Sequence, residues 1–175
     1  SSAASDVYKR QIKGWEPKGI KVCAHDPSDT GGDSKGIAFR HGTIVTDVDE
    51  RTIGDGNEGC DWATDLAIQN DSDMFVYDAD GMGALLRRQI NSNLEGKKVR
   101  IEAFKGSEGV DKPKEIYKGA DDYADESRPR TNEQTFRNKR SQKYIGLRDR
   151  CYLTYRAIEH GDYNNPDDMI SFSKD

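Results

Sequence analysis

The chain has 175 residues, of which 33% are hydrophobic and 34% charged, with a net charge of −5 and a mean hydropathy of −0.96. That length suits one domain with a single modest core, no run approaches the roughly eighteen apolar residues of a transmembrane helix, and the N-terminus lacks the apolar stretch of a secretory signal. Three separated cysteines, Cys23, Cys60 and Cys151, with no CxxC pair and no histidine cluster, favour neither a disulfide framework nor a zinc site, and core thiols in a reducing cytoplasm are expected.

Residues 1–11 are set apart, because Asp6-Val7-Tyr8-Lys9-Arg10-Gln11 resembles the translation of a sequencing-library adapter. Residues 12–175 are then expected to form the domain. Trp15 and, further on, Trp62 are read as packing residues. Gly19 to Ala24 alternates as a strand, and the Pro27 to Asp33 segment, rich in proline, glycine and aspartate, must turn. Lys35 to Arg40 and Thr43 to Val48 predict two further strands joined at His41-Gly42 as a β-hairpin.

Cys60, Ala63 and Ala67, with Trp62 and Leu66, fall at helical spacing and predict a helix from about Gly59 to Asn70. Met74 to Tyr77 is a short apolar run of the kind found in a strand buried on both faces. Met82, Leu85, Leu86, Ile90 and Leu94 then mark an amphipathic helix that Gly96 can end, and Val99 to Phe104 supplies another strand. Strand, helix, strand, helix, strand implies an α/β unit with parallel pairing in its second half.

Gly106 to Pro129 has few apolar residues and no period, and reads as a long excursion from the core. Thr131-Asn132-Glu133-Gln134 offers a capping box before a helix whose buried stripe is predicted as Phe136, Tyr144, Leu147, Cys151, Tyr155 and Ile158, ending near His160-Gly161. A short strand or turn is expected at Met169 to Phe172. From Arg128 to Arg156 there are nine basic residues against two acidic, a local balance of +7 that leaves −12 for the remainder. Such asymmetry suits an acidic metal site on one part of the fold and a phosphate-tracking surface on another. On that basic helix Arg137, Lys139, Arg140 and Lys143 are the candidates for DNA contact, the alternative being an ordinary solvated face.

Two aspartates carry the chemistry. Asp26 and Asp78 each end a predicted strand and are followed by glycines that leave room for a phosphate backbone. Carboxylates on rigid supports are what Mg²⁺ or Mn²⁺ requires for two-metal phosphodiester hydrolysis. Aspartate is also common in turns for local reasons, so spacing alone leaves both readings open. His25 reads as a strand-edge side chain rather than a catalytic base.

The run His25-Asp26-Pro27-Ser28-Asp29-Thr30-Gly31-Gly32-Asp33-Ser34, followed by Gly36 to Arg40, resembles the opening of the ribonuclease H-like nuclease domain of tailed-phage terminase large subunits. Phe75 to Ala84 resembles that family's second acidic strand, and Phe136 to Tyr144 with Leu147 to Arg150 resembles a later helix, all in the family's order. The resemblance implies an α/β fold with a ribonuclease H-like mixed sheet flanked by helices, and an endonuclease that cuts concatemeric DNA during packaging. Asp26 and Asp78 would be catalytic metal ligands for Mg²⁺ or Mn²⁺, with Asp33 and Asp80 as supporting acids. Double-stranded DNA, an N-terminal ATPase domain, the small terminase subunit and the portal would be partners, in the host cytoplasm and without a membrane.

Two departures qualify the resemblance. No GxxxxGK[ST] phosphate loop is present, so the motor that accompanies such nucleases is not in this sequence. The family's third aspartate is expected beyond Asp175, with Asp167 or Asp168 as the alternative within the chain, and a chain with only two ligands is expected to bind metal weakly and cut slowly or not at all. Competing readings are a resolvase- or transposase-type enzyme using the same carboxylates, and an actin-like nucleotide-binding domain, which would need a second phosphate loop. A calcium module is also conceivable, although the Asp78 to Gly83 segment does not fit an EF-hand loop.

Overall fold

A computed structural model describes residues 17–120, 128–162 and 165–172. Residues 1–11 and Trp15 lie outside them, as does part of the predicted excursion. The chain divides into two compact units, one of residues 16–104 with 172–175, the other of residues 1–15 with 105–171.

The first unit is built on strands β1 (Lys21–Asp26), β2 (Lys35–His41), β3 (Ile44–Arg51), β4 (Met74–Asp78) and β5 (Arg100–Phe104). The sheet order is β5-β4-β1-β2-β3, with a sixth edge strand, β6 (Ser171–Phe172), beyond β3. β1 pairs antiparallel with β2 and parallel with β4, and β4 pairs parallel with β5, so the parallel pairing predicted for the second half is present. The hairpin turns at Gly42-Thr43, one residue later than expected. Gly42 sits at φ +58°, and a Cβ there would meet the Lys18 carbonyl oxygen at 1.8 Å. Any side chain at that position would be both strained and blocked.

Helix α1 (Gly56–Gln69) starts three residues before its predicted position. Asp55 is the N-cap, accepting from the Glu58 amide at 2.8 Å while the Glu58 carboxylate accepts from the Asp55 amide at 2.9 Å. This capping box supplies partners for two amides that an α-helix leaves open. Helix α2 (Gly83–Asn93) follows β4, and Gly96, at φ +71°, turns the chain after it. Cys60, Ala63 and Ala67 of α1 and Leu86, Ile90 and the following Leu94 pack on Cys23, Ile37, Phe39, Phe75 and Tyr77 of the sheet, with Trp62 and Leu66 partly buried beside them. Leu85, predicted within the apolar stripe, is 80% exposed instead, because it falls one position away from the face that Leu86 and Ile90 define. Gln89 and Asn93 donate to the Asp61 carboxylate at 2.6 and 2.7 Å and tie the two helices together. Burying a side chain such as Phe75, fully enclosed here, contributes about 1.5 to 3 kcal/mol.

In the second unit the single helix predicted from Thr131 is two. A four-residue α3 (Asn132–Thr135) ends at Phe136, whose backbone is extended, and Asn138 then caps α4 (Lys139–His160). Asn138 accepts from the Ser141 amide at 2.9 Å, a second start signal that overrides continuation. Gly161, left-handed at φ +71°, ends α4 where expected.

The predicted stripe along this helix is not buried. Tyr144, Leu147 and Tyr155 are large exposed hydrophobics and Cys151 is exposed, whereas Thr154 and Ala157 are buried. The break at Phe136 takes that residue out of the stripe, and within α4 the buried face is the one carrying Thr154 and Ala157. Phe136 is itself buried, edge-on to Tyr117 with ring centroids 4.8 Å apart. Residues 105–118 are not an excursion within this unit. The Tyr117 hydroxyl donates to Asp149 at 2.6 Å, Ile116 bridges Thr131, and Gln142 bonds both the amide and the carbonyl of Asp111. Polar bonds to α4 replace the apolar contacts whose absence suggested a loose segment.

Candidate metal centre

Strand alternation decides which side chains share a face. On β1 and β4 the residues Cys23, His25, Phe75 and Tyr77 turn toward α1 and α2, so Asp26 and Asp78 project from the opposite face. The parallel register pairs Val22 with Met74, Cys23 with Phe75, Ala24 with Val76 and His25 with Tyr77. The register ends at that pair, and Asp26 and Asp78 are the next and last residue of each strand.

Each carboxylate has a local support. The Asp80 amide donates to Asp78 Oδ1 at 2.9 Å, which fixes that side chain in the turn after β4. Asp26 is exposed at the mouth of the loop of residues 27–34, opposite Gly36 in the β1–β2 register. A Cβ on Gly36 would stand 3.7 Å from that of Asp26, so the glycine keeps the flank of the carboxylate open. Gly83 does the converse, letting α2 press on β4. A Cβ there would lie 1.7 Å from the Asp78 carbonyl oxygen.

The loop between β1 and β2 is fastened at several points. Ser28 Oγ donates to the Asp33 carbonyl at 2.9 Å, Lys35 Nζ donates to the Asp29 carbonyl at 3.3 Å, and Asp29 Oδ1 accepts from the Gly56 amide at 3.2 Å. Asp29, Lys35 and the Asp55/Glu58 box were not singled out from the sequence. The Asp-x-x-Glu spacing of the box was visible there, whereas the other two contacts depend on tertiary placement.

His25 is not a strand-edge side chain. It is 3% exposed, its Nδ1 lies 3.0 Å from the Gly36 carbonyl, and its Nε2 is buried without a hydrogen-bond partner. Burial lowers its pKa, so the ring is held neutral on the face opposite Asp26, where it does not act as a base for that site.

Among the described residues no group of three His, Cys, Asp or Glu is gathered to hold a metal ion. Asp33 and Asp80 therefore do not complete a three-acid cluster with Asp26 and Asp78. Asp167 and Asp168 belong to the second unit, in a 3₁₀ turn (Pro166–Asp168) where Asn165 accepts from the Asp167 amide at 3.1 Å. On α4, Lys139 pairs with Glu108 at 3.1 Å and Asp111 at 3.6 Å, and Lys143 pairs with Asp111 at 2.6 Å. Those two lysines hold the Asp111 carboxyl below its usual range, Lys143 contributing most. Arg137 and Arg140 are exposed, and the Arg140 side chain lies against Gly106.

A central β1 with an antiparallel hairpin on one side and two parallel strands on the other, and with acidic residues at the ends of β1 and β4, is the arrangement of ribonuclease H-like α/β nucleases. The chain is similar to the nuclease domain of the large terminase subunit gp2 of bacterial virus Sf6, at 47% identity and a TM-score of 0.86 over 98% of this chain and 70% of that one. A point variant of that domain with manganese and β-thujaplicinol, and one with calcium, each match at 47% identity and a TM-score of 0.85, with the same coverage. The chain belongs to the nuclease domains of bacteriophage large terminase subunits. No protein-family profile and no curated protein sequence matches it.

Proposed function

We propose that this chain is a divalent-metal-dependent DNA endonuclease that cuts concatemeric DNA during genome packaging, with Asp26 and Asp78 as its metal ligands. The observation that supports the reading is the parallel β1–β4 register, which pairs His25 with Tyr77 just before Asp26 and Asp78 end the two strands. The related domain with manganese, and the one with calcium, support a divalent cation as cofactor. Two carboxylates with exposed surroundings fit Mg²⁺ or Mn²⁺, which take hard oxygen donors and retain several waters.

When bound, such cations supply Lewis acidity and a water acidic enough to attack phosphorus near neutral pH. The protein's own part is positional. Asp26 and Asp78 hold their oxygens on rigid strand ends, the Asp80 amide orients Asp78, and Gly36 leaves space for the substrate backbone. Residues 12–175 act as one nuclease domain, and Asp33 and Asp80 shape the rim rather than bind directly. Arg137, with Lys139, Arg140 and Lys143 once released from their partners, meets the phosphates of double-stranded DNA. In a longer protein an ATPase domain, the small subunit and the portal would complete the packaging machine in the host cytoplasm.

Nicking of supercoiled plasmid with Mn²⁺ or Mg²⁺, by this chain and by a version extended past Asp175, tests this reading. Asp26→Asn and Asp78→Asn should each abolish metal-dependent cleavage and weaken Mn²⁺ binding measured by calorimetry. Cleavage that survives both substitutions would overturn the assignment.

A further inference from the structure

Among the described residues Lys35 is the only lysine or arginine that is buried, and it is 0% exposed. Its slot is built into α1. A Cβ on Gly59 would lie 2.4 Å from Lys35 Cδ and 2.9 Å from Cε, so the stem runs flat against the helix where no side chain stands. The stem ends in an ammonium with one hydrogen bond among the described residues, to the backbone carbonyl of Asp29 at 3.3 Å. Asp29 in turn accepts from Gly56, the first residue of α1.

Packing does not account for this residue. Taking an ammonium out of water is strongly unfavourable, and a single neutral carbonyl at 3.3 Å offsets little of that cost. Methionine or leucine would fill the same slot without it. What the charge accomplishes is a connection, running from β2 through Lys35 to the middle of the loop that begins at Asp26, and from that loop through Asp29 to α1. His25 Nδ1 on the Gly36 carbonyl secures the strand side of the same corner.

We propose that Lys35 is a positioning residue, whose ammonium tethers the Pro27–Ser34 loop at Asp29 and thereby fixes the direction in which Asp26 leaves β1. The role rests on the reading of Asp26 as a metal ligand, but the tether itself does not. Two measurements on the 175-residue chain separate them: hydrogen exchange without metal, and Mn²⁺ titration by calorimetry. Lys35→Met keeps the stem and removes the charge. It should speed exchange of the Gly56 amide, which donates to Asp29 of the loop, about fivefold, the value of one net hydrogen bond, and weaken Mn²⁺ binding by a similar factor, while β4 and α2 amides keep wild-type rates.

Gly59→Ala retains the ammonium but drives a methyl into its stem, and should move both readouts in the same direction. It also carries the test alone if Lys35→Met does not fold. Wild-type Gly56 exchange in both variants overturns the tether. Faster exchange with wild-type Mn²⁺ affinity overturns its influence on Asp26. If Asp26→Asn leaves Mn²⁺ affinity unchanged, the ligand reading fails, and Gly56 exchange still reports whether Lys35 holds the loop.

Discussion

Gly83→Ala perturbs the acidic edge of the sheet without touching a carboxylate. The new Cβ would stand 1.7 Å from the Asp78 carbonyl oxygen, 2.8 Å from its carbonyl carbon and 3.2 Å from Pro27 Cγ. Ordinary contact needs about 3.5 Å, so the end of β4 and the start of α2 must part by well over 1 Å. Neither is free to move. The Ala79 amide bonds the Phe104 carbonyl at 2.7 Å, and Leu86 and Ile90 anchor α2 in the core.

Alanine's better helix propensity returns at most about 1 kcal/mol, whereas overpacking typically costs 1 to 3 kcal/mol and this overlap is severe. A net loss of about 2 kcal/mol in unfolding free energy is expected by guanidinium denaturation. Displacing a ligand by about 1 Å should also slow plasmid nicking roughly 100-fold. Gly32→Ala is the control, since a Cβ there meets nothing within 4 Å, and it should stay within about 0.5 kcal/mol of wild type. Wild-type stability and nicking in Gly83→Ala would refute the close approach of α2 to Asp78.

Thiol chemistry gives a second prediction. Burial pushes Cys23 and Cys60 up to about 12, while Cys151 is exposed and raised less, so a disulfide reagent at pH 8 should modify Cys151 rapidly and the other two only after unfolding. Their folded pKa values exceed the unfolded ones, so stability should fall as pH rises from about 9 toward 12, and Cys23→Ala should reduce that slope. Asp111→Asn releases Lys143 from its exposed ion pair and leaves Lys139 with Glu108. It should change stability by less than about 1 kcal/mol but steepen the salt dependence of DNA binding by up to about one phosphate contact, read by fluorescence anisotropy. Asn138→Ala removes the cap that restarts α4 and should cost about 1 kcal/mol, seen in thermal unfolding followed by circular dichroism.

The strands and the core of the first unit were readable because their signals are local. The Met74 to Tyr77 run and the Cys60, Ala63, Ala67 spacing each correspond to a face that the fold buries, whereas the alternation over Gly19 to Ala24 marks a strand that runs from Lys21 to Asp26 and turns Cys23, not Ile20, into the core. The second unit was less readable for a physical reason. Its α4 carries a weak apolar pattern, and the unit is joined through polar contacts such as Tyr117 to Asp149 and Gln142 to Asp111, which leave no period in the sequence. Asp26 and Asp78 could be named as strand-ending acids, but their common face follows only from the β1–β4 pairing. Lys35 looked like an ordinary first residue of a strand, because its burial depends on a glycine twenty-four positions away.

Between the two aspartates lie a hairpin and a helix, since β4 reaches β1 only after forty-seven intervening residues have been arranged. A β1–β2–β3 meander can form early from near neighbours, whereas closing β4 onto β1 carries the entropy of a long loop and comes late. A half-folded chain would thus display Asp26 alone. A cation held by both acids, as proposed above, would favour only the closed crossover, so metal should then act on this protein as a folding ligand, raising its melting temperature with concentration before any DNA is present.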